Sequence, residues 1–237
     1  MRQLCIFLLA FLMTGQSALA ITPPQISRAA ESIVSLAMQP EIWAYDYTSP
    51  VPETPPIADG DFAGSLFIGN SLGDGFKAFS GLKYGDHQVT VGLTVFSAGS
   101  KVSAAAGKDR VYIMLGINEI GRGPEAVCEK YSQLIDDIRA VNPEADIYVQ
   151  SVLPVYEPKL SSSQKQYHIT NSYIVELNEA YQAMCAEKQV YYLDIHSALA
   201  DESGALPKAL TWDGVHLTPE AYGIWLDYLK THTIALR

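Results

Sequence analysis

The sequence has few cationic residues. Its 16 Lys and Arg residues stand against 26 Asp and Glu residues, which gives a formal net charge of -10 at pH 7. An acidic surface repels the phosphates of nucleic acids and of anionic lipids, so both are excluded as partners. Hydrophobic residues make up 48% of the 237 residues and charged residues 18%. This composition predicts one folded domain with a substantial core.

The chain also lacks an apolar segment long enough to cross a membrane. The apolar run at residues 5–13 falls well short of the roughly 20 residues that span a bilayer. Arg2 precedes this run and the small-residue sequence at residues 18–20 follows it, which is the pattern of a cleaved secretory signal peptide. We therefore predict that residues 1–20 are removed near Ala20. The mature protein is then soluble, not stably inserted in a membrane, and either secreted or periplasmic.

Cysteine is scarce. Cys5 lies in the predicted signal peptide, so Cys128 and Cys185 remain, and such a pair in an exported protein favours a disulfide. The predicted helices argue against it, because Cys128 falls near the start of one helix and Cys185 near the end of its parallel neighbour. At 1.5 Å of rise per residue the offset is about 15 Å, whereas a disulfide tolerates a Cα separation of about 7 Å at most. We predict two unpaired, largely buried thiols.

No residues stand at the spacing of a metal site. Four of the five histidines have no cysteine or carboxylate nearby at metal-ligand spacing, namely His87, His168, His196 and His232. The sequence therefore predicts neither a metal nor a cofactor.

Residues 21–60 differ from the rest of the chain. Residues 27–38 carry apolar side chains at helical spacing, and four prolines between residues 50 and 56 then interrupt regular structure. We interpret residues 21–60 as an N-terminal helix with a Pro-rich lead-in, and residues 61–237 as the main domain.

From residue 64 onward, short apolar runs alternate with segments of helical periodicity. Continuous apolar strands bounded by turn residues are typical of a buried parallel sheet. The alternation predicts a three-layer α/β/α sandwich. The predicted strands are residues 65–68, 88–91, 110–115, 145–152 and 190–193, and the predicted helices are residues 124–141, 171–187 and 219–229.

Chemically active side chains follow these strands, where ligands of open parallel sheets bind. Ser71, Gly92 and Asn118 each come after a strand, and Asp213 and His216 precede the last helix. A serine hydroxyl becomes a nucleophile when a histidine accepts its proton, and an aspartate on the other ring nitrogen orients that histidine. The N–H groups of Ser71 and Gly92 and the Asn118 amide would supply three donors to an oxyanion. This set predicts acyl-transfer chemistry.

Three blocks resemble motifs of the SGNH hydrolases, also called GDSL esterases. Residues 69–72 (GNSL) are similar to the nucleophile motif G-[DN]-S-[LR], residues 116–119 (GINE) to G-x-N-[DE], and residues 213–216 (DGVH) to D-x-x-H. The blocks stand in the family's order and the resemblance covers residues 62–232. The layout of the three blocks is similar to that of a bacterial subgroup of GDSL-like lipases or acylhydrolases. The resemblance implies a flavodoxin-like fold with a five-stranded parallel sheet in the order 2-1-3-4-5.

One block of the family reduces here to a single glycine. Gly92 follows the second strand directly and is the first candidate, and Gly99 is the second. Glu119 stands where the family more often has aspartate, and we expect little effect because Asn118 carries the role of the block.

The resemblance implies a secreted serine esterase or acylhydrolase. We expect it to cleave a small acyl ester, with acetyl on a carbohydrate as the first candidate, through acylation of Ser71 and attack by a water that His216 activates. The alternatives are an O-acyltransferase of the same fold, a lysophospholipase or thioesterase, and a catalytically silent sugar-binding module.

Overall fold

The computed structural model describes residues 45–119, 121–166 and 169–234. The signal peptide predicted at residues 1–20 and the helix predicted at residues 27–38 lie outside the described residues. Residues 46–58 form neither helix nor strand. Backbone hydrogen bonds hold this lead-in on the domain, from Val51 N–H to the carbonyl of Tyr192 at 2.9 Å and from Thr54 N–H to the carbonyl of Thr231 at 2.7 Å.

A five-stranded sheet forms the centre of the domain. All pairings are parallel and the strand order is β2-β1-β3-β4-β5, which confirms the order that the resemblance implied. Every residue of β1, β3 and β5 is buried, and this explains why apolar residues predominate in them. The strands are β1 (Ser65–Gly69), β2 (Asp86–Val89), β3 (Arg110–Met114), β4 (Asp146–Gln150) and β5 (Tyr191–Leu193).

The second strand begins two residues earlier than the sequence predicts. The sequence predicts residues 88–91, whereas β2 covers Asp86–Val89 and Thr90 to Gly92 belong to a turn closed by a 2.9 Å bond from Leu93 N–H to the Thr90 carbonyl. β2 lies at the edge of the sheet and is only half-buried along its length. An edge strand tolerates polar residues, so hydrophobicity did not mark its start.

Aromatic side chains at neighbouring register positions pack across four strands. Phe67 stacks on Tyr112, with ring centroids 5.0 Å apart, and the stack continues through Tyr148 to Tyr191 at 4.8 Å per step. Offset aromatic pairs contribute about 0.5–1.5 kcal/mol each beyond the area they bury. This row therefore helps to fix the register of β1, β3, β4 and β5, and Ser71 follows β1 while Asn118 follows β3.

Helices flank the sheet in two layers, as predicted. α2 packs against α4, and α1 packs against α6. The three helices predicted from periodicity are confirmed, while α3 and α5, of five residues each, are too short to show a period. The helices are α1 (Ser71–Phe79), α2 (Pro124–Val141), α3 (Ser162–Gln166), α4 (Asn171–Lys188), α5 (Ile195–Leu199) and α6 (Pro219–Thr231).

Both described cysteines are free thiols, in agreement with the prediction. Cys185 is buried in α4, but Cys128 in α2 is only half-buried, so the expected burial holds fully for one of them. Desolvation raises the pKa of Cys128 to about 11 and raises the pKa of Cys185 as well. Both groups are therefore protonated and poorly reactive near neutral pH.

The described part of the chain contains neither a membrane-spanning helix nor a cluster of metal ligands. None of its helices combines the length and apolar composition needed to span a bilayer. Within the same residues, no three His, Cys, Asp or Glu side chains cluster in a way that could hold a metal ion.

Candidate active site

Ser71 is the first residue of α1 and is separated from the end of β1 by Asn70 alone. The side chain of Asn70 caps the helix, because its Oδ1 accepts a 3.0 Å hydrogen bond from Leu72 N–H. The turn is tight, since a Cβ on Gly69 would lie 3.2 Å from the Cα of Gly73. Asn70 thus performs the capping, which leaves the Ser71 hydroxyl available for another partner. The N–H of Ser71 lies in the first turn of the helix, where backbone donors have no intrahelical acceptor.

That partner is His216. Its Nε2 lies 3.0 Å from Ser71 Oγ, and its Nδ1 lies 2.7 Å from Asp213 Oδ2. A carboxylate can only accept hydrogen bonds, so Asp213 favours the imidazole tautomer with its proton on Nδ1. Nε2 is then the acceptor for the serine proton, which is the arrangement of a serine hydrolase triad.

Asp213 also builds the turn that presents the histidine. Its Oδ1 accepts hydrogen bonds from the N–H groups of Val215 and His216 at 2.9 and 2.8 Å. The turn needs glycine at position 214, where φ is +99° and a Cβ would lie 2.8 Å from the carbonyl of Tyr156. Partial burial raises the pKa of Asp213, but the hydrogen bonds from His216 and Val215 outweigh it and hold that pKa below its usual value. Asp213 therefore remains ionised opposite the imidazole.

Asn118 lies in the turn after β3 and borders the same depression as Ser71 and His216. Its Nδ2 donates a 3.1 Å hydrogen bond to the carbonyl of Leu93, in the loop after β2. An amide nitrogen carries two hydrogens, so one remains for a ligand.

The two glycine candidates lie differently. Gly92 belongs to the turn beside Leu93 and has a φ of +77°, whereas Gly99 lies in the 3-10 helix Ala98–Ala105. Gly99 lines a separate depression against α2, together with Phe96 and Leu134. Neither glycine lines the depression that contains Ser71. The contact between Asn118 and Leu93 favours Gly92, and its role as an oxyanion donor stays a prediction.

The depression at Ser71 has a volume of about 250 Å³. Gln164 enters it from α3, which a capping box orients: Ser161 N–H donates to Gln164 Oε1 at 2.7 Å, and Gln164 N–H donates to Ser161 Oγ at 3.3 Å. Sequence reasoning missed Gln164 and Ile169, although the Ser-x-x-Gln pattern at 161–164 was a detectable signal. The lining residues are Ser71, Ile117, Asn118, Gln164, Ile169, Val215 and His216.

A larger depression, of about 510 Å³, lies at the amino ends of β3 and β4. Its lining includes Asp109, Arg139 and Asp146, and it contains neither a serine nor a histidine. We assign the site by its hydrogen-bond geometry, not by its size.

Glu119 is a further residue whose importance sequence reasoning underestimated. Its side chain is completely buried, and its carboxylate accepts hydrogen bonds from Val95 N–H at 2.6 Å and from Gly116 N–H at 3.1 Å. Burial raises the pKa of Glu119, and these backbone donors oppose that rise. The signal was an ionisable residue only five positions after the end of a wholly buried strand.

Residues 60–224 match the model of the GDSL-like Lipase/Acylhydrolase family. No curated protein matches the sequence. Three solved structures illustrate the similarity of fold. A Streptococcus pneumonia protein provisionally named a platelet activating factor has 23% identity and a TM-score of 0.62, over 86% of this chain and 97% of its own. A GDSL-like lipase from Bacteroides thetaiotaomicron has 18% identity and a TM-score of 0.60, over 75% and 89%. An acetylxylan esterase from Geobacillus stearothermophilus has 16% identity and a TM-score of 0.54, over 73% and 94%.

Proposed function

The chain belongs to the GDSL-like lipase/acylhydrolase family and is therefore an enzyme that hydrolyses esters, and we propose that Ser71 is its nucleophile. The observation that carries this proposal is the hydrogen-bond chain from Ser71 Oγ through His216 to Asp213, with distances of 3.0 and 2.7 Å. A serine alone is a weak nucleophile, and such a chain activates it.

In the acylation step, Ser71 Oγ attacks the carbonyl carbon of the ester while His216 Nε2 takes the hydroxyl proton. The tetrahedral intermediate collapses, the bond to the alcohol oxygen breaks, and the imidazolium gives its proton to that oxygen. Asp213 stabilises the transient imidazolium through Nδ1. The product of this step is an acyl ester on Ser71 and a free alcohol.

In the deacylation step, a water molecule gives its proton to His216 Nε2 and adds to the acyl carbon. The second tetrahedral intermediate releases the carboxylic acid, and the proton returns to Ser71 Oγ. In both intermediates the negative oxygen needs fixed donors. The N–H of Ser71 at the start of α1, the free hydrogen of Asn118 Nδ2 and the N–H of Gly92 are the proposed set.

The size and lining of the depression favour a small acyl group. Its volume of about 250 Å³ is below the range of about 300–1,000 Å³ that is usual for small-molecule sites. Ile117, Ile169 and Val215 supply an apolar wall beside Ser71, and Gln164 supplies an amide that could contact the alcohol portion. We therefore propose an acetyl or similarly short ester, and the acetylxylan esterase among the solved structures of this fold is consistent with a carbohydrate alcohol.

The function is tested by turnover of p-nitrophenyl acetate together with labelling by a fluorophosphonate probe. We expect release of nitrophenol and acetate, and loss of activity in proportion to labelling. Acetyl transfer to an added sugar in place of acetate release would favour the O-acyltransferase alternative. Absence of both turnover and labelling would contradict the proposal.

The acyl wall makes a separate prediction. Ile169→Ala should enlarge the pocket without changing the triad. The ratio of kcat/KM for p-nitrophenyl acetate to kcat/KM for p-nitrophenyl octanoate should fall by about tenfold. The reason is that one methylene in an apolar pocket changes discrimination between substrates by roughly 10- to 200-fold. Val175→Ala, an exposed truncation on α4, is the control and should leave the ratio unchanged. An unchanged ratio in Ile169→Ala would mean that the acyl group binds elsewhere.

Export stays part of the proposal. We propose that the protein is cleaved after Ala20 and acts outside the cytoplasm, on the pattern of residues 1–20. Mass spectrometry of the protein from the envelope or medium of an expressing bacterium should find a chain beginning at Ile21. Protein found in the cytoplasm that still begins at Met1 would contradict the proposal of export.

A further inference from the structure

We propose that Glu119 is a positioning residue for the oxyanion hole. Its buried carboxylate ties the loop after β2 to the turn after β3, and so holds Asn118 at the edge of the depression that contains Ser71. This inference rests on the proposed function, because it concerns the same site.

The tie joins two segments that are not neighbours in the sheet. In the order β2-β1-β3, β1 lies between them, and α1 with Ser71 follows β1. A connection between the loop after β2 and the turn after β3 therefore has to span the carboxyl end of β1. The 2.6 Å bond from Val95 N–H to Glu119 Oε1 is that connection.

In a second bond beside it, the turn after β3 supplies the donor and the loop after β2 supplies the acceptor. Asn118 Nδ2 donates to the carbonyl of Leu93 at 3.1 Å, so adjacent side chains of the turn hold Leu93 and Val95 of the facing loop. The bond from Asn118 to Leu93 orients the Asn118 amide, and the bond from Val95 to Glu119 holds the loop that contains Leu93. The same loop contains Gly92, the predicted backbone donor.

Glu119 also closes its own turn. Its Oε2 accepts a 3.1 Å bond from Gly116 N–H, and its N–H donates to the Gly116 carbonyl at 3.2 Å. Gly116 has a φ of +134°, and a Cβ there would lie 2.3 Å from the Val152 side chain. The conformation of Asn118, between these residues, is thus set from both ends.

Other roles for Glu119 fit the structure less well. It is completely buried and does not line the depression at Ser71, so it is not placed to exchange a proton with substrate. Among the salt bridges of the described residues, none includes Glu119. Its carboxyl oxygens are directed instead at backbone N–H groups, 2.6 Å from that of Val95 and 3.1 Å from that of Gly116.

The test compares Glu119→Ala and Glu119→Gln with the wild type in steady-state hydrolysis of p-nitrophenyl acetate. We expect kcat to fall about 100-fold in Glu119→Ala with KM within about threefold, because misplacing an oxyanion donor by about 1 Å affects the transition state more than the ground state. Glu119→Gln keeps one acceptor oxygen and should lose about tenfold in kcat.

The control is Asn142→Ala, which removes side-chain bonds to the carbonyls of Ala105 and Lys108 at 2.9 and 2.8 Å. This tether also holds a loop, but at the amino end of β3. Its loss should lower the midpoint of thermal unfolding and leave kcat unchanged. The control thus measures what a purely structural tether does to activity.

A double-mutant cycle identifies the residue through which Glu119 acts. Because Glu119 works by placing Asn118, Asn118→Ala/Glu119→Ala should be no more than about threefold slower than Asn118→Ala alone. Full additivity of the two losses would overturn the inference. If Glu119→Ala does not fold, Glu119→Gln decides the matter, and an unchanged kcat in that variant overturns it as well.

Ser71→Ala separates this inference from the proposed function. If Ser71→Ala is inactive and the Glu119 variants keep their kcat, only the positioning role fails. If Ser71→Ala remains active, the proposed function itself fails.

Discussion

Ser71→Ala and His216→Ala should each remove nearly all hydrolysis of p-nitrophenyl acetate, and the double variant should be little slower than either. The two side chains share one proton across a 3.0 Å hydrogen bond, so the loss of either disables the whole unit. In a comparable catalytic unit, single losses reach roughly a million-fold and are strongly non-additive. The measurement is kcat/KM for the three variants and the wild type.

Two matched controls accompany these variants. Ser172→Ala removes an exposed serine in α4, and His232→Ala removes a histidine that stacks on Tyr228 at the end of α6. Both should retain wild-type kcat/KM within about twofold. If Ser71→Ala kept more than about a tenth of the activity, Ser71 would not be the nucleophile.

Substitutions at Asp213 should be milder and can separate its two roles. Asp213→Asn keeps the oxygen that binds the N–H groups of Val215 and His216, but it no longer favours a proton on His216 Nδ1. Asp213→Ala loses both roles. We expect Asp213→Ala to be roughly tenfold or more less damaging than His216→Ala, because water can partly orient the imidazole at this half-exposed position.

Asn118→Ala should lower kcat by roughly 100-fold or more and leave KM nearly unchanged. Its amide would act on the negative oxygen of the tetrahedral intermediate and much less on the neutral carbonyl of the bound ester. Asn118→Asp, which has nearly the same shape but repels a developing oxyanion, should be at least as slow.

Steady-state kinetics at several ester concentrations separates kcat from KM, and the remote Asn142→Ala variant is again the control. An effect confined to KM would contradict the oxyanion role and indicate that Asn118 binds the ground state.

The elements that sequence predicted well are those with a continuous apolar run or a clear apolar stripe. β1 and β3 contain the apolar runs 66–68 and 111–114, and α2 covers Pro124–Val141 as its apolar stripe and Pro124 at its first position indicate. β2 was predicted two residues too late because this edge strand is half-buried and polar. α3 was missed because five residues cannot display a helical period, and the pocket residue Gln164 was missed with it.

The candidate triad could be predicted because each member stands in a short motif with its own local geometry. Asp213 and His216 are three residues apart and share one turn, and Ser71 begins a helix. The role of Glu119 could not be predicted in this way, because it depends on a bond to Val95, 24 residues earlier. Contacts of this kind arise from the order of strands in the sheet, which periodicity does not contain.

The central claim is that Ser71 carries the acyl group, and peptide mass mapping after fluorophosphonate treatment tests it most directly. The account predicts one adduct per molecule, located on Ser71, with activity lost in step with its formation and with labelling greatly slowed in His216→Ala. Complete inactivation with an unmodified Ser71, or an adduct on another residue, would contradict it.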